Sequence, residues 1–452
     1  MKKILLFGAG KSASILIDYL VDASEKNGWE FIVCDADISV AKSKIGKSEN
    51  VKAVAADVTN ETERQILIRE ASIVISLLPP SLHFLVAKDC VQFNKNLLTA
   101  SYVDEQITSL KNDIEEKGLL FLCEMGLDPG IDHMSAIKMI HTIKNKNGRI
   151  LSFKSHCGGL IAPESDNNPW HYKISWNSRN IVLAGKDGAT YRKKNKIVRL
   201  PYQSVFRNCN EVNIPGTDTM VWYPNRDSLH YINIYDLNDT PTFIRTTLRY
   251  PAFCRGWNKV VTIGLSSTDD YDQIKNCKTF DEWYHVKINP FTQSNKDWNN
   301  YLQMYITDVY KGEFSAQVNF LELNHKEKLP ENFTCSADIL QFAMEKNMSL
   351  SREDHDMIVM YHEIEYEVTE PAGIPSKHVV NSALIVKGDD QIKTAMAKTV
   401  GLPLAIATKL ILQNKILLKG LLIPTHPEIY EPVLKELEEL GIKFNETTQP
   451  VV

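Results

Sequence analysis

The chain has little of what most specialised protein classes need. Its eight cysteines (34, 90, 123, 157, 209, 254, 277 and 335) form no C-x-x-C pair, which fits neither a zinc knuckle nor a disulfide scaffold and reads as reduced thiols. No block of five or more Lys/Arg occurs and the net charge is −5, so nucleic acid and anionic membranes are poor partners, whereas small acidic metabolites stay open. The twelve histidines are dispersed, none pairing with a cysteine or carboxylate at ligand spacing, and no metal is expected. No apolar run approaches the ~20 residues that span a bilayer. The opening "MKKILLF" reads as a strand that begins at once, and on that reading no signal or transit peptide is expected. The expectation is a soluble, cytoplasmic protein without repeats or low-complexity segments.

What is present is a globular composition, 43% hydrophobic and 24% charged, in 452 residues, too many for one ordinary core. The first distinctive stretch is "KILLFGAGKSAS". Gly10-Lys11-Ser12 looks like the tail of a P-loop, but the glycine needed five positions before Gly10 is Leu5. Residues 8–13 instead read G-x-G-x-x-A, directly after the apolar Ile4, Leu5, Leu6 and Phe7 and directly before a helical pattern. That is the strand, turn and helix context of a dinucleotide-binding fingerprint. Gly8 and Gly10 would let backbone N–H groups and a helix N-terminus reach a pyrophosphate, and small Ala13 would let the helix sit close to the strand. Asp35 closes the second strand, where a carboxylate accepts ribose hydroxyls and repels a 2′-phosphate. It predicts NAD rather than NADP.

Up to Asp128 nearly continuous apolar strands alternate with helices at short spacing, the pattern of a parallel sheet covered on both faces. Strand-like pieces such as "RILSFKSHCGGL" and "TFIRTTLRY" follow, and alternating strands return near 357–387. The stretch between carries short amphipathic segments, and two helical patterns close the chain. The predicted fold is α/β, in three parts. A Rossmann-type parallel-sheet domain (1–128) is completed by C-terminal helices (391–452); an α/β substrate and dimerisation domain covers 129–250 and 352–390; a small helical domain covers 251–351.

Asp128 lies in "GLDPG", where it either caps the helix that starts near Ile131 or faces a ligand. His133 reads as a packed helix histidine, and Cys157, beside two glycines, as a close-packed structural position.

The runs "LLTASYVDE", "CEMGLDPGIDHMSA", "SHCGGLIAPESDNNPWHYKISWNSRN", "WYPNRDS", "TTLRYPAF" and "TVGLPLAIATKL" resemble saccharopine dehydrogenase of the glutamate-forming type, also called saccharopine reductase. The similarity weakens mainly from about 255 to 350. It implies a homodimeric oxidoreductase that couples glutamate with 2-aminoadipate 6-semialdehyde and reduces the imine to saccharopine, or runs the reverse, with NAD or NADP. By resemblance, Ser101, Tyr102, Asp128, Arg226, Thr247, Leu248 and Arg249 bind substrate. Gly8, Gly10, Lys11, Ser12, Asp35, Asp57, Val58 and Leu78 meet the cofactor, as do Ala100, Ser101, Leu127, Asp128, Pro129 and Ser175. Saccharopine carries three carboxylates, which suit the forked guanidinium groups of Arg226 and Arg249. Reduction of a protonated imine needs positioning more than acid–base chemistry, but oxidation needs a proton acceptor, for which Asp128 is the first candidate. One departure concerns the cofactor: fungal NADP-using relatives carry an arginine just after the cysteine of the second strand, where this chain has Asp35. At this point a dehydrogenase of another amine-linked acid, such as carboxynorspermidine, and an idle dinucleotide-binding regulator stay open, although the regulator would have no use for a tricarboxylate clamp.

Overall fold

The structure, a computed structural model, describes residues 1–293, 312–369 and 374–451. It divides into two compact units: Met1–Leu151 with Ile234–Leu237 and His362–Val452, and Ser152–Asn233 with Asn238–Tyr361. This division differs from the three-domain expectation. The helical stretch 251–351 belongs to the same unit as the strands that precede it, and residues 129–151 and 362–390 belong to the unit of the parallel sheet. Residues 294–311 of the expected helical domain lie outside the described residues.

The first unit is built on strands β1 (Lys3–Phe7), β2 (Glu30–Asp35), β3 (Val51–Ala55), β4 (Ile73–Ser76), β5 (Asn96–Thr99) and β6 (Leu120–Leu122), with a last strand at Gly420–Leu422. All seven are parallel, and the last strand, β6, β5, β4, β1, β2 and β3 lie side by side in that order. Ile4, Leu5, Leu6, Ile73, Val74 and Ile75 are fully buried, because a parallel strand between two helical layers has no wet face. The chain starts at β1, runs outward to β3, then returns to β4 on the other side of β1. Ligands of open α/β sheets collect at such a reversal, beyond the carboxyl ends of the strands.

Two closing helices, Ala395–Leu412 and Pro427–Glu439, belong to this unit. The first has 18 residues and a mean hydropathy of 1.5, long and apolar enough to cross a membrane, contrary to the expectation that no run approaches that length. In the structure 83% of it is buried, and it packs on helix α1 (Ser14–Asn27) as a core helix.

Strand β7 (Arg149–Ile161), which belongs to the second unit from Ser152 on, pairs there in parallel with the strand Thr242–Arg249, setting Cys157 beside Thr247. That strand also pairs antiparallel with Met220–Pro224, setting Arg249 beside Val221. Tyr250 then caps the helix Pro251–Ile263, whose proline sits where a helix needs no N–H. The helix lays Phe253 and Trp257 in a stacked pair, centroids 5.1 Å apart, in a core that contains the fully buried Trp170 and Trp283. Trp170 Nε1 donates to the Gln317 carbonyl at 3.0 Å, so the sheet-side loop and the helices share one interior.

Gly8, at the end of β1, has φ +97°, and a Cβ there would lie 2.6 Å from the Leu77 carbonyl oxygen beyond β4. At Gly10 φ is −63° and nothing lies within 4 Å of the Cβ position. Gly8→Ala is therefore expected to lower the unfolding free energy by about 1–3 kcal/mol, and Gly10→Ala by less than about 0.5 kcal/mol. Urea unfolding of the two variants against the parent checks the difference.

Candidate active site

The glycine turn is held by main-chain donors. Gly8 N–H donates to the Cys34 carbonyl at 2.8 Å, and Ala9 N–H donates to Asp35 Oδ2 at 2.8 Å. The other Asp35 oxygen accepts from Asp37 N–H at 3.1 Å. Lys44 Nζ donates to the Gly10 carbonyl at 2.5 Å; burial pushes its pKa down, opposed by the charges of Asp35 and Asp18. Gly10 caps the helical turn Lys11–Ala13 that runs into α1, so the N–H groups of Lys11 and Ser12 are first-turn donors without intrahelical partners. These donors, with the open face of Gly10, fit a pyrophosphate. The flanking cofactor candidates are anchored from behind. Asp57 accepts from the Thr59 N–H and hydroxyl at 2.9 and 2.8 Å. The Val58 carbonyl accepts from Arg64, itself paired with buried Asp89 at 2.6 Å. Leu78 lies half-buried next to Leu77, whose N–H donates to the Phe7 carbonyl at 2.9 Å.

The ends of β5 and β6 bring the next candidates together in the same unit. Ser101 N–H donates to Thr99 Oγ1 at 3.2 Å, the Ser101 carbonyl accepts from Glu124 N–H at 3.0 Å, and Ala100 lies half-buried between them. Tyr102 Oη donates to Asp128 Oδ1 at 3.3 Å, and Asp128 is half-buried. Asp128 does not cap the following helix: Gly130 holds the N-cap position, and Asp132 Oδ1 accepts the Gly130 N–H at 2.6 Å. Leu127 and Pro129 are buried in this loop, and the bond joining Asp128 to Pro129 is cis. Gly130 has φ +147°, and a Cβ would fall 2.0 Å from the Gly126 carbonyl oxygen, so no other residue fits that corner.

Two histidines tie this loop down. His133 is fully buried, with Nε2 2.8 Å from Glu124 Oε2 and Nδ1 2.5 Å from Tyr235 Oη. His83, near the start of the helix Pro80–Gln92, places Nδ1 2.8 Å from Ser76 Oγ and Nε2 2.7 Å from Ser101 Oγ. Desolvation pushes the His83 pKa down to about 4, partly opposed by Asp104, and the ring is neutral at pH 7. Neither Glu124 nor His83 stood out in the sequence. The only signal for Glu124 is a charge ending an apolar strand; His83 shows just a polar residue on an apolar helix.

In the second unit Arg249 is 4% exposed. Its Nη1 donates to the Leu248 carbonyl at 2.7 Å, and the guanidinium lies 5.2 Å from the Tyr172 ring centre and 5.4 Å from that of Phe253. Nε has no hydrogen-bond partner, and no carboxylate pairs with this arginine among the described residues. Other cations of the same unit behave otherwise: Arg255 donates two hydrogen bonds to the Glu313 carboxylate, Lys173 pairs with Asp354, and Lys287 with Asp270. A buried cation without a carboxylate partner costs about 3–5 kcal/mol. Burial pushes the Tyr223 phenol up to about 12, the Arg249 charge pulling the other way. Thr247 is half-buried and Leu248 fully buried beside Arg249. Ser175 is 4% exposed in the same unit, and Cys157 is buried within β7. Arg226, by contrast, is exposed on the two-residue strand Arg226–Asp227. A cavity of about 250 Å³ in this unit, lined by Arg207, Lys259, Tyr284, Phe314 and Asn319 among others, contains none of the candidate residues.

Comparison with known proteins identifies the family and the fold. Residues 4–122 match the family model "Saccharopine dehydrogenase NADP binding domain", and residues 126–442 match "Saccharopine dehydrogenase C-terminal domain". The chain is 31% identical to the saccharopine dehydrogenase [NADP(+), L-glutamate-forming] of Saccharomyces cerevisiae, covering 99% of both. It is also 31% identical to the alpha-aminoadipic semialdehyde synthase of Arabidopsis thaliana, covering 99% of this chain but 45% of that one, so it spans less than half the length of that relative. The apo saccharopine dehydrogenase (L-Glu forming) structure from Saccharomyces cerevisiae superposes with a TM-score of 0.87 at 30% identity, over 99% of this chain and 100% of that one. The α/β fold with a Rossmann-type parallel sheet is thereby established.

The expectation of NAD is overturned. The matched nucleotide-domain model is an NADP-binding one, and the yeast relative is named for NADP(+). Locally, both Asp35 oxygens accept main-chain N–H groups, of residues 9 and 37, so the carboxylate has a role in holding the turn and its place at the strand end does not by itself select NAD.

The neutral, buried His83 has a pH signature. Its folded pKa lies below the unfolded value near 6.5, so the unfolded state binds the proton first and stability falls as pH drops from about 6.5 towards 4. Relative to His83→Gln, the parent is expected to lose about 2 kcal/mol between pH 7 and pH 5. Urea unfolding of both proteins at the two pH values measures it.

Proposed function

The chain belongs to the saccharopine dehydrogenase family, and on that premise we propose that it is an NADP-dependent oxidoreductase of saccharopine. In the oxidative direction the C–H bond beside the secondary amine breaks and its electron pair leaves as hydride. The amine gives up a proton, and water cleaves the resulting imine to L-glutamate and 2-aminoadipate 6-semialdehyde. The reverse sequence forms saccharopine. When bound, the nicotinamide supplies the hydride acceptor.

The observation that carries this reading is Arg249, a buried guanidinium with Nε unmatched and, among the described residues, no carboxylate at ion-pair distance. A guanidinium cannot deprotonate to escape the cost, so an anionic ligand is its natural complement. Saccharopine offers three carboxylates. The aromatic faces of Tyr172 and Phe253 hold the guanidinium in one orientation and exclude water from it, which strengthens any charge-assisted bond it forms. In the first unit Asp128, with Tyr102 Oη on one oxygen, is the carboxylate suited to accept the amine proton. The first-turn N–H groups of Lys11 and Ser12 would hold the pyrophosphate, and Lys44 is the cation beside the turn that suits an additional phosphate.

With purified protein and saccharopine, absorbance at the reduced-nicotinamide band is expected to rise, faster with NADP⁺ than with NAD⁺. No change with either cofactor removes the proposal. Arg249→Ala is expected to lower kcat/KM for saccharopine roughly 10- to 100-fold through the loss of one charge-assisted bond. NADP⁺ affinity, read by fluorescence titration, should stay within about twofold of the parent. Loss of NADP⁺ binding in place of saccharopine turnover would mean that this arginine serves the nucleotide.

A further inference from the structure

Ser101 ends up beside β5 at the carboxyl edge of the parallel sheet, and its hydroxyl is tied to His83, whose other nitrogen meets Ser76 at the end of β4. The chain Ser76–His83–Ser101 therefore links the tips of two neighbouring strands. Its hydrogen-bond polarity follows from burial. Ser76 is fully buried, and its hydroxyl has His83 Nδ1 as its side-chain partner among the described residues. If Ser76 only accepted from Nδ1–H, its own proton would be left unsatisfied in the interior, which is the costlier arrangement. Ser76 therefore donates to Nδ1. A neutral imidazole has one donor and one acceptor, so the proton sits on Nε2 and is given to Ser101 Oγ. Ser101 then has its own O–H left to give to something else. The ring 5% exposed and desolvated is consistent with a neutral imidazole throughout the working range.

Resting on the reading of the preceding section, we infer that His83 is a positioning residue of the reaction. It is locked by Ser76 as the Nε2–H tautomer and turns the Ser101 hydroxyl into a hydrogen-bond donor for a ligand oxygen of carbonyl or carboxylate type. Such an oxygen occurs in the nicotinamide carboxamide and in the amino-acid carboxylates, and the two are separable by which ligand's binding suffers. His83 touches neither ligand; it acts through Ser101.

The test is a double-mutant cycle with His83→Leu, His83→Gln, Ser101→Ala and the double variant His83→Leu/Ser101→Ala, assayed with saccharopine and NADP⁺. His83→Leu and Ser101→Ala are each expected to lower kcat/KM about tenfold, the worth of one hydrogen bond near 1.4 kcal/mol. The double variant should be no worse than either single one, and His83→Gln, whose amide can still donate near the Nε2 position, should recover most of the loss. A rise confined to KM for saccharopine assigns the oxygen to a substrate carboxylate, and weakened NADP⁺ binding assigns it to the carboxamide. Multiplying losses in the double variant, or a His83→Gln variant as poor as His83→Leu at equal thermal stability, overturns the inference. Nitrogen-15 NMR of histidine-labelled parent protein decides the tautomer without any turnover: a protonated Nε2 supports the inference, a protonated Nδ1 overturns it. Absence of saccharopine turnover in the parent would instead count against the proposed function alone.

Discussion

A guanidinium carries its charge wherever the chain puts it, so burying one obliges the structure to supply a counter-charge. At Arg249 the second unit supplies a carbonyl and two aromatic faces but, among the described residues, no carboxylate at ion-pair distance. The arrangement is made by elements with independent reasons to be there. The strand Thr242–Arg249 is fixed by pairing on both edges, and Tyr250 turns it straight into a helix whose Phe253 faces back onto the arginine. Tyr172 arrives from a loop whose neighbour Trp170 is bonded to the helical core. The guanidinium is thus held by packing, and the energy of its unmatched charge is available to an anion.

The first unit presents main-chain donors at its glycine turn. Its sheet order sets the reversal between β1 and β4, where Gly8 allows the backbone to pass close to Leu77 and Gly10 leaves a face open. Asp35 belongs to the scaffold of that turn, since its two oxygens are held by the N–H groups of Ala9 and Asp37. At the neighbouring strand tips, Glu124, His133, His83 and Ser76 form a buried polar framework behind Ser101 and the Asp128 loop. Such frameworks rigidify when satisfied, which is what a hydride transfer between bound partners requires.

Much of this was legible in the sequence, for physical reasons that differ from element to element. The parallel sheet was visible because buried strands must be continuous apolar runs, and the dinucleotide turn because only small residues tolerate its geometry. The cofactor preference was misread because sequence shows that Asp35 ends a strand but not which way its carboxylate turns. His83 was missed because its meaning depends on β4 and β5 being neighbours, a fact of pairing and not of spacing. The separate helical domain was expected from composition, yet the bond from Trp170 to Gln317 joins that stretch to the core of the preceding loops. Arg226 and Arg249 looked alike as strand-end arginines, and only the structure separates the exposed one from the buried one.

The most direct measurement of the central claim is a crystal structure of the protein with saccharopine and NADP⁺ bound. A saccharopine carboxylate oxygen within hydrogen-bond distance of Arg249 Nε is the outcome this account requires. Arg249 Nε turned onto a protein acceptor, with all three substrate carboxylates held by other residues, would contradict it.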